Sequence, residues 1–182
     1  MSNGGRLALL RSDDGGATFS RGYLFEDRII TSMTGFFSMA RSVSDGKEYI
    51  HLIFAEEEPE LTMLYYARSD DGGETFSMPV AFFSSEISLT QSPLLLANGK
   101  YVFIATADAD EENGPSLRYV LSENSGEGFT EPAVATHNVS SPGTLAGILN
   151  SDGSVMLVWD DISAESEADE QLFRMNGSLR GR

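Results

Sequence analysis

Along the chain, short apolar runs alternate with glycine-rich polar turns, and no stretch keeps the 3.6-residue apolar period of a helix over ten residues. The runs at 49–55 (YIHLIFA), 101–107 (YVFIATA) and 155–159 (VMLVW) are apolar at both alternating positions. That is the signature of a strand covered on both faces. Each run follows a glycine turn: Asp45-Gly46, Asn98-Gly99 and Asp152-Gly153, spaced by 53 and 54 residues. Asn-Gly and Asp-Gly between apolar runs predict two-residue type I′ hairpins, because both central residues need positive φ. A further strand, at 35–43, 91–97 or 144–150, leads into each turn.

A second series keeps nearly the same step. Residues 11–20 read RSDDGGATFS, residues 68–77 read RSDDGGETFS, and residues 121–130 read LSENSGEGFT. Gly16, Gly73 and Gly126 are 57 and 53 residues apart, and the distances from Gly46 to Gly73 and from Gly99 to Gly126 are both 27. A third strand (7–11, 63–68, 117–121) leads into each segment, and a fourth (23–25, 79–83, 132–136) follows it. Four antiparallel strands in about 55 residues is the repeat unit of a propeller blade.

The predicted fold class is therefore all-β: a propeller of four-stranded antiparallel blades, about three per chain. The chain reads as one array over 1–182, with whole blades at 31–87 and 88–139 and half blades at 1–30 and 140–182. Three blades are fewer than the typical four to eight of a closed ring. Open strand edges also invite association. Either two chains close a six-bladed ring as a homodimer, or the chain is a stretch of a longer propeller.

The repeated segment has a mechanical reading. Ser and Asp side chains can bond nearby backbone N–H groups in a tight turn. The glycines allow positive φ, and the phenylalanine can fold back onto the sheet as a plug. The structural positions read this way are Ser12, Asp13, Gly16 and Phe19; Ser69, Asp70, Gly73 and Phe76; and Ser122, Gly126 and Phe129. The third copy has Glu123 and Gly128 where the others have their first aspartate and their threonine, so a looser cap is expected there.

These segments resemble the Asp box, or bacterial neuraminidase repeat, of the sialidase-superfamily β-propellers. With the hairpin series, the resemblance covers essentially the whole chain. It implies that the turns are structural and lie on the outer rim, away from an active site. It implies six blades in a complete ring. It also implies an activity directed at carbohydrate, either an exo-sialidase type of glycoside hydrolase or a glycan binder.

Composition narrows the chemistry. The chain has 182 residues, 41% of them hydrophobic, enough for a core. No apolar run approaches the roughly 20 residues of a membrane-spanning helix. No basic segment followed by a long apolar one opens the chain, so a soluble protein without a signal peptide is expected. The absence of Cys excludes disulfides and thiolate chemistry, and His51 and His137 alone cannot build a multi-histidine zinc centre. A net charge of -16 repels phosphate backbones, so no nucleic-acid partner is expected.

Half of the 28 acidic residues fall between the second and third strands of the repeats: Glu56, Glu57, Glu58 and Glu60; Asp108, Asp110, Glu111 and Glu112; Asp160, Asp161, Glu165, Glu167, Asp169 and Glu170. One face should carry a negative potential. Such loops can hold a hard cation such as calcium through oxygen ligands, although no EF-hand spacing is present. No other cofactor is implied.

A sialidase needs arginines to hold the substrate carboxylate, plus a nucleophile and a carboxylic acid. The early Arg-Ile-Pro motif that the resemblance would imply is absent from this sequence. Arg28 and Arg41 are the candidates for central residues, whereas Arg11, Arg68 and Arg118 read as peripheral. Asp108 and Asp160 fall at equivalent places just beyond the second strand, with Glu56 as their counterpart. Carboxylates there can face one another across a channel and serve glycoside hydrolysis. His137 reads as a residue of a blade-connecting loop, available as a proton carrier or ligand contact, and His51 as a packed strand residue. The competing reading is a non-catalytic scaffold whose acidic face binds cations or a basic protein partner.

Overall fold

Alternation with a period of two, interrupted at glycine turns, resolves into thirteen strands and no helix among the described residues. A computed structural model describes residues 5–25, 36–57, 62–85, 92–110, 114–137, 139, 144–162 and 170–178. The first sheet pairs β1 (Ala8–Arg11) with β2 (Ser20–Tyr23). The second runs β3 (Phe37–Ser44), β4 (Lys47–Glu57), β5 (Thr62–Ser69) and β6 (Val80–Ser85) in sequence order. The third repeats that order with β7 (Leu94–Asn98), β8 (Tyr101–Asp110), β9 (Gly114–Ser122) and β10 (Ala133–His137). The fourth holds β11 (Leu145–Leu149), β12 (Ser154–Ile162) and β13 (Glu170–Ser178). All pairings are antiparallel.

The second and third sheets bury both faces of their middle strands, because the apolar runs supply side chains to both, whereas β12 of the fourth buries Val155, Leu157 and Trp159 on one face and leaves Met156 and Val158 half-buried on the other. Ile53, Ala55, Leu64 and Tyr66 of the second sheet pack on Leu95, Val102, Ile104 and Val120 of the third. Phe103, Ala105 and Leu117 of the third pack on Leu145, Leu149, Val155, Leu157 and Trp159 of the fourth. Leu52 and Phe54, on the opposite face of the second sheet, pack on Leu7, Leu24 and Phe25 beside the first. The successive sheets thus stack face to face, and their leading strands lie side by side, β3 against β7 and β7 against β11.

The three hairpins share a period but not a turn. Asp45 and Gly46 both have positive φ (51° and 76°) between the paired residues Ser44 and Lys47, the expected type I′ arrangement. Asn98 pairs directly with Tyr101, so the central residues are Gly99 and Lys100 rather than Asn98 and Gly99. Only Gly99 has positive φ (57°), the requirement of a type II′ turn. In the third hairpin the amide of Asn150 donates to the Ser154 carbonyl at 2.9 Å, leaving a three-residue loop that ends on Gly153 at φ 83°.

The repeated polar segments form one hydrogen-bonded turn three times. The amides of Gly16, Gly73 and Gly126 donate to the hydroxyls of Ser12, Ser69 and Ser122 at 2.7, 2.8 and 2.9 Å. Those hydroxyls donate to Asp14, Asp71 and Asn124 at 2.8, 2.7 and 2.7 Å. The closing carboxylate is thus the second of each pair. Asp13 and Asp70, the expected caps, instead accept from Arg11 at 2.8 Å and from Lys47 at 2.6 Å. Hydrogen bonds from the hydroxyl and amide of Thr18, then from Ser12, hold the Asp14 carboxyl down at about 2. The same arrangement with Thr75 and Ser69 holds Asp71 well below the usual carboxylate range. In the third copy Asn124 accepts from the Gly128 amide at 3.0 Å, and no threonine hydroxyl joins it.

The phenylalanines of these turns diverge. Phe76 packs at the seam of the first and second sheets, and Phe129 of the third sheet's turn packs on Tyr66 and Phe82 of the second, with ring centroids 4.9 and 4.5 Å away. Phe19 is 63% exposed and plugs nothing among the described residues.

Candidate functional site

The second strands run further than their apolar cores. β4, β8 and β12 continue to Glu57, Asp110 and Ile162, so Glu56, Asp108 and Asp160 belong to strands rather than to the loops beyond them. Glu56 is buried although it is a carboxylate. It stands opposite Met63, which stands opposite Ser84. Asp108 stands opposite Ser116, which stands opposite His137. Met63 and Ser116 each precede the turn serine of their own strand, Ser69 or Ser122, by six residues. Glu56 and Asp108 therefore occupy equivalent rows of adjacent sheets. His137 is the last residue of β10, not part of a connecting loop, and it shares the row of Asp108 two strands away.

Asp160 does not join this set by register. Val155, Leu157 and Trp159 alternate into the core shared with the third sheet. Asp160 is one residue out of that phase, and Asp161 keeps it. Glu56 keeps the corresponding phase of Leu52 and Phe54. The equal spacing read along the sequence hides this slip, because the third hairpin carries an extra loop residue.

Arg41 lies opposite Ile50 on β3, six residues short of Glu56 along β4, or about 20 Å at the strand rise. It is exposed and paired with Glu48, whose carboxyl it lowers through a hydrogen bond. Arg41 and Glu56 thus do not converge. Arg28 lies outside the described residues. Arg118, read as peripheral, is half-buried in mid-sheet, opposite Thr106 and Val134 and two residues from Ser116. Of the described arginines, it is the one placed beside the Asp108–His137 row. The position along β9 hid this, since a third strand is not necessarily a surface strand when both its faces are covered.

A second cluster surrounds His51, which is the packed strand residue the sequence suggests, but with partners the sequence does not reveal. The hydroxyl of Ser42 lies 2.9 Å from His51 Nε2, and the hydroxyl of Tyr66 lies 2.8 Å from His51 Nδ1, all buried between the second and third sheets. Burial, then the nearby Arg68 charge, pushes the imidazole from its ordinary 6.5 down to about 4. Burial likewise pushes the Tyr66 phenol up. Arg68 donates to the Ser125 carbonyl at 2.8 Å and lies 3.6 Å from Glu127, fastening the third sheet's turn to the second sheet. A cleft of about 410 Å³ opens beside this latch, between Met78, Val80 and Phe82 on one side and Glu127 and Phe129 on the other. The lone histidine on an apolar strand was the available signal, but its two hydroxyl partners are contributed by β3 and β5.

A buried neutral imidazole makes a signed contribution to stability. The unfolded chain binds a proton below 6.5 and the folded one only below about 4, so stability should fall as pH drops through that window. His51→Gln should flatten this part of the pH dependence in thermal melts between pH 7 and 4. An unchanged slope contradicts the burial of the imidazole.

Among the described residues, no group of three or more His, Asp or Glu is placed to hold a metal ion. The acidic residues 58, 60, 111, 112, 165, 167 and 169, on which the calcium expectation chiefly rests, lie outside the described residues. No helix among the described residues is long and apolar enough to cross a membrane.

No family model matches the chain. No curated protein matches it either. Among solved structures, an alpha-L-arabinofuranosidase from Fusarium graminearum, in complex with an iminosugar inhibitor, aligns with a TM-score of 0.66 at 11% identity, over 93% of this chain and 54% of its own. An alpha-L-arabinanase from Penicillium chrysogenum, complexed with arabinobiose, aligns with a TM-score of 0.64 at 15% identity, over 95% of this chain and 55% of its own. A Hadza microbial sialidase aligns with a TM-score of 0.46 at 18% identity, over 92% of this chain and 37% of its own. The chain spans about half the length of the first two, which are β-propeller glycosidases. The likeness shows the fold: a propeller-like stack of antiparallel sheets.

Proposed function

We propose that this chain is part of a sialidase-like β-propeller directed at carbohydrate, with its site where the second strands end. The observation that carries the reading is the coincidence of two features. The fold matches two carbohydrate-active propellers over nearly the whole chain. At the strand ends a buried carboxylate, Glu56, stands in a row equivalent to that of Asp108, which shares its own row with His137. Two carboxylates on neighbouring blades are the minimum equipment of a glycosidase: one protonates the leaving oxygen, and the other stabilises or attacks the sugar. Arg118 is the cation assigned to the sugar's polar or anionic groups, in place of Arg41.

The test is a panel of fluorogenic glycosides, sialosides and α-L-arabinofuranosides among them, assayed with the chain and with Glu56→Gln, Asp108→Asn and Arg118→Ala. Turnover of one class is expected, with each carboxylate substitution lowering kcat/KM at least ~100-fold. Turnover indifferent to both carboxylates contradicts the assignment of the site. The charge balance favours a second reading: half of the 28 acidic residues fall between the second and third strands of the repeats along the sequence, which suits a non-catalytic scaffold for cations or a basic protein. Saturable binding of a basic peptide at moderate ionic strength, with no turnover or binding of any glycoside, would select it.

A further inference from the structure

His51 and Tyr66 form the surface on which the third sheet's turn sits. The turn glycine, Gly126, packs so closely that a Cβ on it would lie 1.8 Å from the Tyr66 hydroxyl oxygen and 3.4 Å from His51 Nδ1. Phe129, three residues on, rests its ring on Tyr66 and Phe82. Arg68, directly opposite His51, ties the same turn down through the Ser125 carbonyl and Glu127. The equivalent turn of the second sheet has a different seat: a Cβ on Gly73 would meet the apolar Ile50 side chain, at 3.3 Å.

The seat under Gly126 suits one protonation state. A neutral imidazole donates from one ring nitrogen and accepts at the other, and the hydroxyls of Ser42 and Tyr66 turn to suit. An imidazolium donates from both, so both hydroxyls must accept and one hydroxyl hydrogen has to leave the ring. Ser42 and Tyr66 are buried, so that hydrogen meets packed protein rather than water. The charge is equally misplaced. β5 sets Arg68, a like charge, beside it; β3 and β4 bring Ser42 and Tyr49; and the turn brings Glu127, which already answers Arg68. The pairs Arg41–Glu48 and Lys47–Asp70 are each self-contained. The third sheet packs apolar Leu95, Val102, Ile104 and Val120 on this seam, and Lys100, just ahead of β8, lies over the Tyr101 ring. Among the described residues no carboxylate pairs with the imidazole.

We infer that His51 is a proton-operated latch: neutral, it holds the third sheet's turn shut on the second sheet, and a second proton releases that turn and opens the cleft beside it. The cleft is the space of about 410 Å³ between Met78, Val80 and Phe82 and the turn, and release uncovers the clustered rings of Tyr66, Phe82 and Phe129. The opening is local, because deeper in the seam Ile53, Ala55 and Leu64 meet Val102, Ile104 and Val120 without a titratable group. His51 is five residues from Glu56 along β4 and on its other face, so the latch stands whether or not the strand ends bind carbohydrate.

Two measurements on the full chain test it. The closed form takes the proton at about 4 and the released form at the ordinary 6.5, so release should increase about 20-fold between pH 7 and pH 5. Amide exchange, corrected for its intrinsic dependence on pH, should show that loss of protection at Ser125 and Gly126 and leave Gly73 within ~2-fold. Equal loss at both turns, or none at Gly126, overturns the inference. The second measurement reads the same linkage in reverse, by nuclear magnetic resonance titration of His51. Phe129→Ala, which loosens the turn from its seat, should make His51 bind its proton at least ~10-fold more tightly. Phe76→Ala, at the matched phenylalanine of the first seam, should change that affinity less than ~2-fold. Circular dichroism establishes that each variant is folded, and the exchange measurement decides alone if Phe129→Ala is not. A His51 that titrates at its ordinary value in the wild type, that Phe129→Ala leaves unmoved, or that both variants move equally, overturns the latch.

Discussion

Replacing Gly126 with alanine should destabilise the fold by about 3 kcal/mol or more. Two causes add at this position. Its φ of +81° is in the left-handed region, where a side chain is strained. A Cβ there would also lie 1.8 Å from the Tyr66 hydroxyl oxygen and 2.8 Å from its ζ carbon. Tyr66 cannot retreat freely. Its hydroxyl holds His51 Nδ1 at 2.8 Å, and its ring touches Phe129 and Phe82. Gly46→Ala is the matched comparison, because Gly46 has a φ of +76° but open space around it. It should cost about 1–2 kcal/mol, the backbone strain alone. Urea unfolding of both variants separates the two causes. Adding Tyr66→Phe to Gly126→Ala should recover part of the loss, by removing the clashing oxygen. Equal costs at Gly126 and Gly46 would mean that the third sheet's turn does not seat on Tyr66.

Phe54→Ala should cost about 3–5 kcal/mol, a large share of the 5–15 kcal/mol that usually holds a domain together. Phe54 is 1% exposed, with Phe25 at 5.6 Å on the side of the first sheet and Tyr65 at 5.5 Å within its own. A two-stranded sheet is marginal without such packing. The loss should therefore fall unevenly. Amide exchange should accelerate most in β1 and β2, while β8 and β9, buried between the third sheet's two neighbours, stay protected. The end of β4 should loosen as well, since Glu56 is two residues from Phe54. Uniform acceleration across all four sheets would contradict the seam that this phenylalanine is said to make.

The strands were legible because their runs are apolar at both phases and their turns recur in step. Ile53 and Val102 sit where the sequence pattern put a doubly covered strand, while the run at 155–159 is covered on the Leu157 face alone among the described residues. The phase of the hairpins was not legible. Asn98-Gly99 reads as a type I′ pair, yet Lys100 closes the turn, because a glycine satisfies the first position of a type II′ turn equally well. The acidic runs misled in the same way. Glu56, Asp108 and Asp160 look like loop residues by polarity, but the backbone ladder continues past the apolar core as long as a partner strand is present.

Other errors came from contacts that composition does not encode. In Asp13-Asp14 and Asp70-Asp71 either carboxylate has the right chemistry for the cap. The choice rests on reach to the threonine four residues on, which belongs to the second of each pair. The His51 cluster joins residues 42, 51 and 66 on three strands, and only the registers of β3, β4 and β5 bring them together. Arg41 has the chemistry of a central cation, but its strand position sets it at the hairpin end, away from Glu56.

Everything proposed about function depends on successive sheets stacking face to face, since that is what brings the ends of β4 and β8 to one side. Aromatic nuclear Overhauser contacts in the labelled full-length chain test this directly. Phe129 belongs to the third sheet's turn, yet its ring centroid lies 4.9 Å from Tyr66 and 4.5 Å from Phe82 of the second sheet. Strong ring-to-ring cross-peaks from Phe129 to both are the predicted result. A Phe129 ring that shows contacts only to residues of β9 and β10 would contradict the stacking, and the placement of Glu56 and Asp108 on one side would go with it.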